Sequence, residues 1–490
     1  MLNHWIIAPV LLPAVLAALS LFAGRNAAGR VLSLLGTFGL LAIAIHLLCT
    51  ASGAEPQVYR LGDWPAPFGI TLVLDRLSAL MLLLTASLAS LVLIQAIATG
   101  WDQRGQRFHA LWLFQLMGLN GAFLTGDAFN LFVFFEVLLI ASYGLMTHGG
   151  TGPRIRAGLQ YIAINLVGST LFLFALATIY AVTGTLNMAD LAVKLPQLPQ
   201  GDHALMRVAA ILLMLVFAIK GALVPLHFWL PGTYAAAAGV VAALFAVMTK
   251  VGAYAALRFG TMVFPEGLSV TEGLIGPLLL PAGLITLGIG AIGILGARGL
   301  PQIAASATLM SMGTVFTAMS GFTPATTAAT LYYVIHSTFA GAALFLIADL
   351  ARARGAEVLA SKAPLPGRLA ALFMAAAIAS AGLPPLSGFP AKLMVLQSQP
   401  STLVWAVILL GTFLAILGLS RAGTALFWKP EGKAAKLPLR EAFAPAALIA
   451  ALIGLTILAG PITAWLAETA QSLHNPTPYI EAHDLPGGAQ

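Results

Sequence analysis

The stretch FAIKGALVPLHFWLP, residues 217–231, decides how this chain folds. It places Lys220 inside an apolar run and follows it with Pro225, which cannot donate a backbone hydrogen bond and kinks or opens a helix. Membrane proteins that move ions use such interrupted helices to place polar groups at mid-membrane. The stretch therefore predicts a discontinuous membrane helix with a lysine beside the break.

A second stretch, GLPPLSGFPAK at residues 382–392, repeats this combination with Lys392. The two breaks lie five predicted spans apart, so the two helices thread the membrane in opposite directions, as in an inverted repeat. We therefore predict two inverted five-helix repeats, residues 109–263 and 273–428. The prolines assigned to the breaks are Pro225, Pro231, Pro384, Pro385 and Pro390.

The composition of the whole chain indicates a membrane location. Of the 490 residues, 59% are hydrophobic and 8% are charged, and the mean hydropathy is +0.94. We predict an all-α polytopic protein with one transmembrane domain, residues 1–490, about fourteen helices that each cross a core of about 30 Å, and a polar C-terminal tail, residues 471–490. The discontinuous helices are the seventh and twelfth. The predicted spans are 5–23, 30–51, 71–99, 109–126, 127–146, 158–183, 205–231, 233–263, 273–297, 300–322, 324–350, 369–398, 401–428 and 441–469.

The positive charges orient these spans, because Lys and Arg are concentrated in cytoplasmic loops. With the N-terminus outside, the loops on the cytoplasmic side hold most of the 24 Lys and Arg. We therefore expect both termini outside the bacterial inner membrane, and the net charge of +7 requires no nucleic acid partner. The cytoplasmic residues are Arg25, Arg30, Arg104, Arg107, Arg154, Arg156, Arg298, Arg352, Arg354, Lys362, Arg368, Lys429, Lys433, Lys436 and Arg440.

Five ionisable side chains remain near the middle of predicted spans. A charged group there costs on the order of 3 kcal/mol on insertion scales, so their presence indicates a proton or cation pathway. These residues are Glu136, Lys220, Lys250, His336 and Lys392.

Structural roles are the alternatives for these residues. Glu136 and Lys220 lie at comparable depth, and a static ion pair that locks two helices together is one alternative. Lys250 has no anion in its own helix and suits a proton relay, whereas the alternative is a lysine bound to backbone carbonyls or to Glu136. For His336 the alternative is a hydrogen bond to a neighbouring helix. His227 lies within the first break, where proton entry and structural capping both remain open.

Four segments resemble the antiporter-like subunits shared by Mrp-type multisubunit cation/proton antiporters and the membrane arm of respiratory complex I. The segments are DAFNLFVFFE at 127–136, KGALVPLHFWLP at 220–231, MTKVGAY at 248–254 and the break at 382–392. The similarity covers nearly the whole chain. Residues 58–77, VYRLGDWPAPFGITLVLDRL, are most similar to the D-type branch of the Mrp subunits, including its potassium/proton members.

This resemblance implies fourteen helices with a hydrophilic axis of buried charges through the membrane centre. It implies that Glu136 and Lys220 form a coupling ion pair, and that Lys250 and His336 relay protons towards Lys392. It also implies partner subunits of the A, B, C, E, F and G types. Many relatives carry a lysine about one turn after the histidine of the eleventh span, where this chain has Ala340 and Gly341.

We expect a subunit that moves protons along the buried axis in exchange for Na+ or K+, with no metal site, no cofactor and no enzymatic reaction. The alternatives are a proton-pumping subunit of complex I or of a membrane-bound hydrogenase, and an inert scaffold. One mid-membrane carboxylate among several lysines suits protons better than Na+, because hard cations prefer several oxygen ligands. We therefore expect the cation route to involve another subunit, and we expect membrane lipid around the helices.

Overall fold

The computed structural model describes residues 4–23, 27–53, 55–428, 434 and 436–485. Arg25, Lys429 and Lys433, three of the charges used to orient the spans, lie outside the described residues, as do both chain ends. The helices are α1 (Ala8–Ala23), α2 (Ala27–Ser52), α3 (Arg76–Ala98), α4 (Phe108–Leu124), α5 (Ala128–Thr147), α6 (Gly152–Thr183), α7 (Met188–Lys194), α8 (His203–Lys220), α9 (Trp229–Ala236), α10 (Gly239–Arg258), α11 (Ile275–Gly296), α12 (Leu300–Met319), α13 (Pro324–Arg352), α14 (Gly367–Ala381), α15 (Gly388–Ser398), α16 (Thr402–Phe427), α17 (Leu439–Ile457), α18 (Ala459–Leu473) and α19 (Thr477–Glu481).

Ten helices within these described ranges are long and apolar enough to cross a membrane, and three shorter helices are also apolar. A bilayer core offers the backbone no water, so each crossing segment must satisfy its own hydrogen bonds, which a helix does. The chain is therefore a mainly helical, multi-pass membrane protein. The number of crossings, the repeat boundaries and the orientation of the termini stay predictions.

The centre of the bundle is formed by α10 and α13. The apolar window of α10 is buried throughout and that of α13 is mostly buried, whereas fewer than half of the residues in the windows of α2, α6 and α16 are buried. The two central helices pack against each other, and α12 packs against both. They carry Lys250 and His336, so two of the predicted polar residues lie in the best-shielded part of the fold.

Two long helices are interrupted at their lysines. α8 ends at Lys220 and α9 begins at Trp229, and Pro225 lies in the non-helical segment between them. α14 ends at Ala381 and α15 begins at Gly388, with two prolines in the corresponding segment. The other two prolines lie in the first turns of α9 and α15, where a missing N–H is tolerated. The prolines in the gaps are Pro225, Pro384 and Pro385, and those in first turns are Pro231 and Pro390.

The predicted start of the eighth span at residue 233 differs from the structure. Residues 233–236 belong to α9, and α10 begins only at Gly239. The backbone N–H of Gly239 donates to Asp349 Oδ1 at 3.3 Å, and a Cβ there would lie 2.3 Å from Asp349 Cβ. This close approach to α13 fixes where α10 starts.

Several elements do not follow from the predicted spans. Residues 57–60 and 71–74 form an antiparallel hairpin, β1 (Gln57–Arg60) and β2 (Thr71–Leu74), and α7 follows α6. The predicted span 441–469 is two helices, α17 and α18, that meet at Leu458. Pro461 cannot donate a hydrogen bond to the carbonyl oxygen of Ile457, which explains the division.

Candidate functional site

Glu136 on α5 and Lys220 at the end of α8 are both bound by α6. Ser169 Oγ donates a hydrogen bond to Glu136 Oε1. Four residues earlier, Asn165 Oδ1 accepts a hydrogen bond from Lys220 Nζ at 2.9 Å. Residues four apart lie on the same face of a helix, so one polar face of α6 contacts both charged groups.

Glu136 and Lys220 do not form a direct ion pair in this structure. None of the ion pairs among the described residues joins them. The contact implied by the resemblance is therefore indirect here, because Lys220 is turned towards Asn165. The two charges still act on each other electrostatically. Lys220 Nζ also lies 5.8 Å from the centre of the Phe135 ring, which is a favourable cation–π distance.

The position of Lys220 depends on close packing of α8 against α10. A Cβ at Gly252 would lie 2.6 Å from the carbonyl oxygen of Phe217, so only glycine allows the two backbones to approach this closely. Across the break, Trp229 Nε1 donates to the carbonyl oxygen of Ile219 at 3.1 Å. These contacts hold the end of α8 and the start of α9 together around the lysine.

Lys250 lies on α10 with 1% of its surface exposed. Its Nζ has no hydrogen-bond acceptor among the described residues. A buried ammonium without an acceptor is costly, whereas a neutral amine is much less so. Among the described residues, packing alone therefore holds the amine of Lys250 in place.

His336 on α13 is influenced by two lysines of the predicted axis, Lys250 and Lys392. Its Nδ1 is 2.9 Å from Ser387 Oγ, which immediately precedes α15. The charges of Lys250 and Lys392 both act electrostatically on the imidazole ring. The imidazole ring is therefore within electrostatic range of the lysine of α10 and of the lysine of the second helix break.

Lys392 lies on α15, but its ammonium group reaches back across the break. Nζ donates to the carbonyl oxygen of Ala381 at 2.9 Å and to Thr412 Oγ1 at 2.8 Å. Ala381 is the last residue of α14, where unpaired carbonyls and the helix dipole favour a cation. Gly382 follows in the left-handed region at φ 76°, and a Cβ there would lie 2.6 Å from Lys392 Cδ.

Two small cavities adjoin the axis. One, of about 10 Å³, is lined by residues that include Lys220, Asn165 and Thr249. The other, of about 20 Å³, is lined by His336 and by several hydroxyl groups. A polar cavity of this size has room for about one water molecule. The hydroxyl residues of the second cavity are Thr308, Ser311, Tyr333, Ser337 and Ser380.

His227 lies in the first break, between α8 and α9. Its Nδ1 is buried and has no hydrogen-bond partner among the described residues. His227 is near Lys220 in sequence. Among the described residues, no hydrogen bond joins its Nδ1 to a residue of the axis.

The polar face of α10 continues from Lys250 towards the helix end. Tyr254 and Arg258 follow at intervals of four residues, and the guanidinium of Arg258 binds both carboxylate oxygens of Asp75 at 2.5 and 2.9 Å. Tyr254 Oη donates to the carbonyl oxygen of Phe123 at 2.6 Å. Burial opposes ionisation of Asp75, but Arg258 and hydrogen bonds with Ser78 outweigh this and hold the pKa of the carboxyl below its usual range.

The sequence did not predict four polar residues that form hydrogen bonds with residues of the axis. They are Asn165, Ser169, Ser387 and Thr412. Asn165 and Ser169 had a usable signal, because they are polar residues four apart in a largely apolar span. Ser387 lies within the second break, where the prolines and Lys392 are the more conspicuous residues. Thr412 is one of several hydroxyl residues in α16, and nothing in the sequence distinguishes it from the others.

Known proteins are similar in sequence to this chain over nearly its full length. The family described as "NADH:quinone oxidoreductase/Mrp antiporter, TM" matches residues 125–418, which include all five predicted axis residues. A probable K(+)/H(+) antiporter subunit of the D type from Rhizobium meliloti (strain 1021) is 38% identical over 98% of this chain and 97% of that protein. A Na(+)/H(+) antiporter subunit of the D type from Bacillus subtilis (strain 168) is 35% identical over 98% of this chain and 99% of that protein.

A solved structure also matches. A chain of the Mrp complex from Dietzia sp. DQ12-45-1b superposes with a TM-score of 0.89 at 26% identity, covering 98% of both chains. The similarity therefore extends over the whole fold and includes the segments beyond the matched family region.

Proposed function

Because this chain belongs to the NADH:quinone oxidoreductase/Mrp antiporter family, we propose that it is the D-type subunit of an Mrp-type cation/proton antiporter. It is a proton-translocating transporter subunit, and not itself an enzyme. Its near full-length similarity to D-type subunits of Na+/H+ and K+/H+ antiporters supports this function.

Protons move along the buried residues Glu136, Lys220, Lys250, His336 and Lys392. The observation that carries this proposal is the position of Lys250. Its amine is buried and unpaired among the described residues, and it lies on a helix between the Glu136–Lys220 region and His336. A group so placed serves proton exchange better than it serves packing, because apolar side chains fill a core at lower cost.

Electrostatics couples the steps. When Lys220 moves between Asn165 and Glu136, its charge shifts by several ångströms within the protein interior. At an effective dielectric constant of about 20, moving a unit charge from about 4 to about 8 Å from its partner changes the interaction by about 2 kcal/mol. That is enough to change the proton affinity of a neighbouring base by more than tenfold.

The finer architecture is part of this proposal. The chain crosses the membrane fourteen times as two inverted repeats, residues 109–263 and 273–428, with α8/α9 and α14/α15 as the discontinuous seventh and twelfth helices. Both termini lie outside the bacterial inner membrane. The non-helical segments beside Lys220 and Lys392 support the repeat arrangement.

The partners are the other subunits of the antiporter, of the A, B, C, E, F and G types, together with membrane lipid. The transported ions are H+ and either Na+ or K+, and the cation passes through another subunit. This assignment is supported by the chemistry of the axis, which offers one carboxylate and three lysines rather than a cage of oxygen ligands.

The test uses inverted membrane vesicles from an antiporter-deficient host that expresses the complete operon. A pH gradient is established, Na+ or K+ is added, and the collapse of the gradient is followed by fluorescence. Wild type should respond to at least one cation, and Lys250→Ala should abolish the response while the complex still assembles. A wild-type complex that assembles and ignores both cations would instead favour a redox-driven proton pump.

A further inference from the structure

Asn165 and Ser169 lie between the two charged groups of the first half of the axis. We propose that Asn165 is a positioning residue that holds the Lys220 ammonium away from Glu136, and that Ser169 holds the Glu136 carboxylate in the matching position. The two residues thus define the resting state that Lys220 leaves when a proton or cation arrives. This inference rests on the proposed function and adds the residues that set its switch.

The amide of Asn165 is oriented for this task. Its Nδ2 donates to the carbonyl oxygen of Tyr161 at 2.8 Å, one turn earlier on α6, which leaves Oδ1 directed at Lys220. A lysine ammonium has only donors, so it requires an oxygen acceptor in any position it takes. Asn165 is 1% exposed, and the bond is therefore shielded from lipid and from bulk water.

Ser169 anchors Glu136 without neutralising it. Its hydroxyl donates to Oε1, and the carboxylate keeps further acceptor capacity for a second donor. Ser169 is 6% exposed and Glu136 is partly buried, so this bond is partly shielded from the surroundings. Lys220 therefore has two acceptors on neighbouring helices, the neutral amide oxygen that it contacts and the carboxylate that it does not.

Lys220 has the freedom to change between them. Its side chain ends a helix beside a non-helical segment, and a cavity of about 10 Å³ adjoins both Lys220 and Asn165. The flexible four-carbon stem of a lysine allows its compact charge to exchange one acceptor for another by side-chain rotation. The two positions differ in charge pairing, which is what a switch in a proton relay requires.

The experiment measures cation-dependent collapse of the pH gradient in vesicles that contain the assembled complex, over a series of pH values. Asn165→Leu keeps the approximate volume and removes the acceptor. We expect the maximal rate to fall about tenfold and the pH of half-maximal exchange to shift by about one unit. Asn165→Asp adds a carboxylate that pairs with Lys220 permanently, and exchange should fall to background.

The control is the next residue on α6. Thr170 is exposed and bonds only within its own helix, to the carbonyl oxygen of Leu166, so Thr170→Val should leave both rate and pH profile unchanged. Ser169→Ala is the second test variant, with an expected shift of the pH profile, and it decides the matter if Asn165→Leu does not assemble.

The outcomes separate this inference from the proposed function. If wild type is active and the assembled Asn165→Leu and Ser169→Ala complexes keep the wild-type pH profile, the positioning role alone is overturned. Loss of rate in Asn165→Leu without any shift of the pH profile would also overturn it, since a merely structural defect behaves in that way. Absence of exchange in assembled wild type would overturn the proposed function itself.

Discussion

The two helix breaks both carry a lysine, but they hold it differently. At the first break Lys220 bonds a side-chain amide on α6, and the charge of Glu136 acts on it from nearby. At the second break Lys392 bonds a backbone carbonyl at the end of α14 and the hydroxyl of Thr412. No ion pair among the described residues involves Lys392. We therefore expect the first lysine to act by moving its charge towards a carboxylate, and the second, which has two neutral acceptors, to act by changing its protonation.

Replacing each lysine by arginine tests this difference most strongly. Arginine retains the charge but does not release its proton in proteins. Lys392→Arg should therefore reduce cation-dependent proton exchange in vesicles to background, because a fixed lysine that cannot deprotonate blocks the relay. Lys220→Arg should keep a measurable part of the exchange, about one tenth, because a moving charge remains and the adjoining cavity has room for a water molecule that passes the proton.

Equal activity of the two assembled arginine variants would remove the distinction between the breaks. Glu272→Gln, at an exposed carboxylate, serves as the control for nonspecific effects of substitution and should leave the exchange rate unchanged.

The two central helices, α10 and α13, also differ at their ends. α10 is tied to the start of α3 by Arg258 and Asp75, whose side chains are 3% and 10% exposed, whereas α13 begins with a capping box between Thr323 and Thr326. Asp75→Asn leaves Arg258 buried without its counter-ion and should lower the stability of the complex by about 3 kcal/mol. Thermal unfolding of purified complex measures this loss.

The pH dependence of that loss follows from the Asp75 carboxyl. Its pKa is held below the usual value, so its contribution is present above the unfolded-state pKa and is lost as the pH falls through the folded-state pKa. The difference in stability between the wild-type and Asp75→Asn complexes should be the same at about pH 7 and about pH 5. It should become smaller only below about pH 4. Glu468→Gln is the matched control, because Glu468 pairs with Arg76 while 62% exposed and should change stability by less than about 1 kcal/mol.

The glycines at the two breaks make room for different groups, because Gly382 leaves space for the side chain of Lys392, whereas Gly252 leaves space for the backbone of α8. Gly382→Ala puts a Cβ 2.6 Å from Lys392 Cδ at a residue with φ 76°, so the lysine must leave the end of α14. We expect the exchange rate to fall about tenfold. Gly232→Ala, in α9 beside the first break, meets no atom within 4 Å and should leave the rate unchanged. Normal rates in both variants would mean that the Ala381 contact does not position Lys392.

The sequence revealed both breaks because proline and glycine act locally. The missing N–H of Pro225 or Pro384 favours an interruption, and the neighbouring glycines strengthen the signal, whereas Pro281 and Pro445 lie inside the continuous helices α11 and α17. The five ionisable residues were visible for a similar reason, since a charge in an apolar span needs no neighbour to be conspicuous. Their partners depend on which helices meet. Asn165 and Thr412 acquire roles only when α6 packs on α8 and when α16 packs on α14.

Some local structure also could not be predicted from the sequence pattern. Strands of four residues, such as β1 and β2, are too short for an alternating pattern to stand out. The division of the last predicted span had a signal in Pro461. That signal is weak because the surrounding residues are uniformly apolar and the span has an acceptable length as one helix.

The smallest predicted effect concerns the second ligand of Lys392. Thr412→Val removes the hydroxyl but leaves the Ala381 carbonyl, so the ammonium keeps one of its two acceptors. The exchange rate should fall about threefold, because one hydrogen bond to a charged group is lost and the side chain can relax. Thr412→Ser retains a hydroxyl and should restore the wild-type rate. If Thr412→Val instead abolished exchange, Lys392 would depend on a neighbouring side chain as strongly as Lys220 depends on Asn165, and the two breaks would work in the same way.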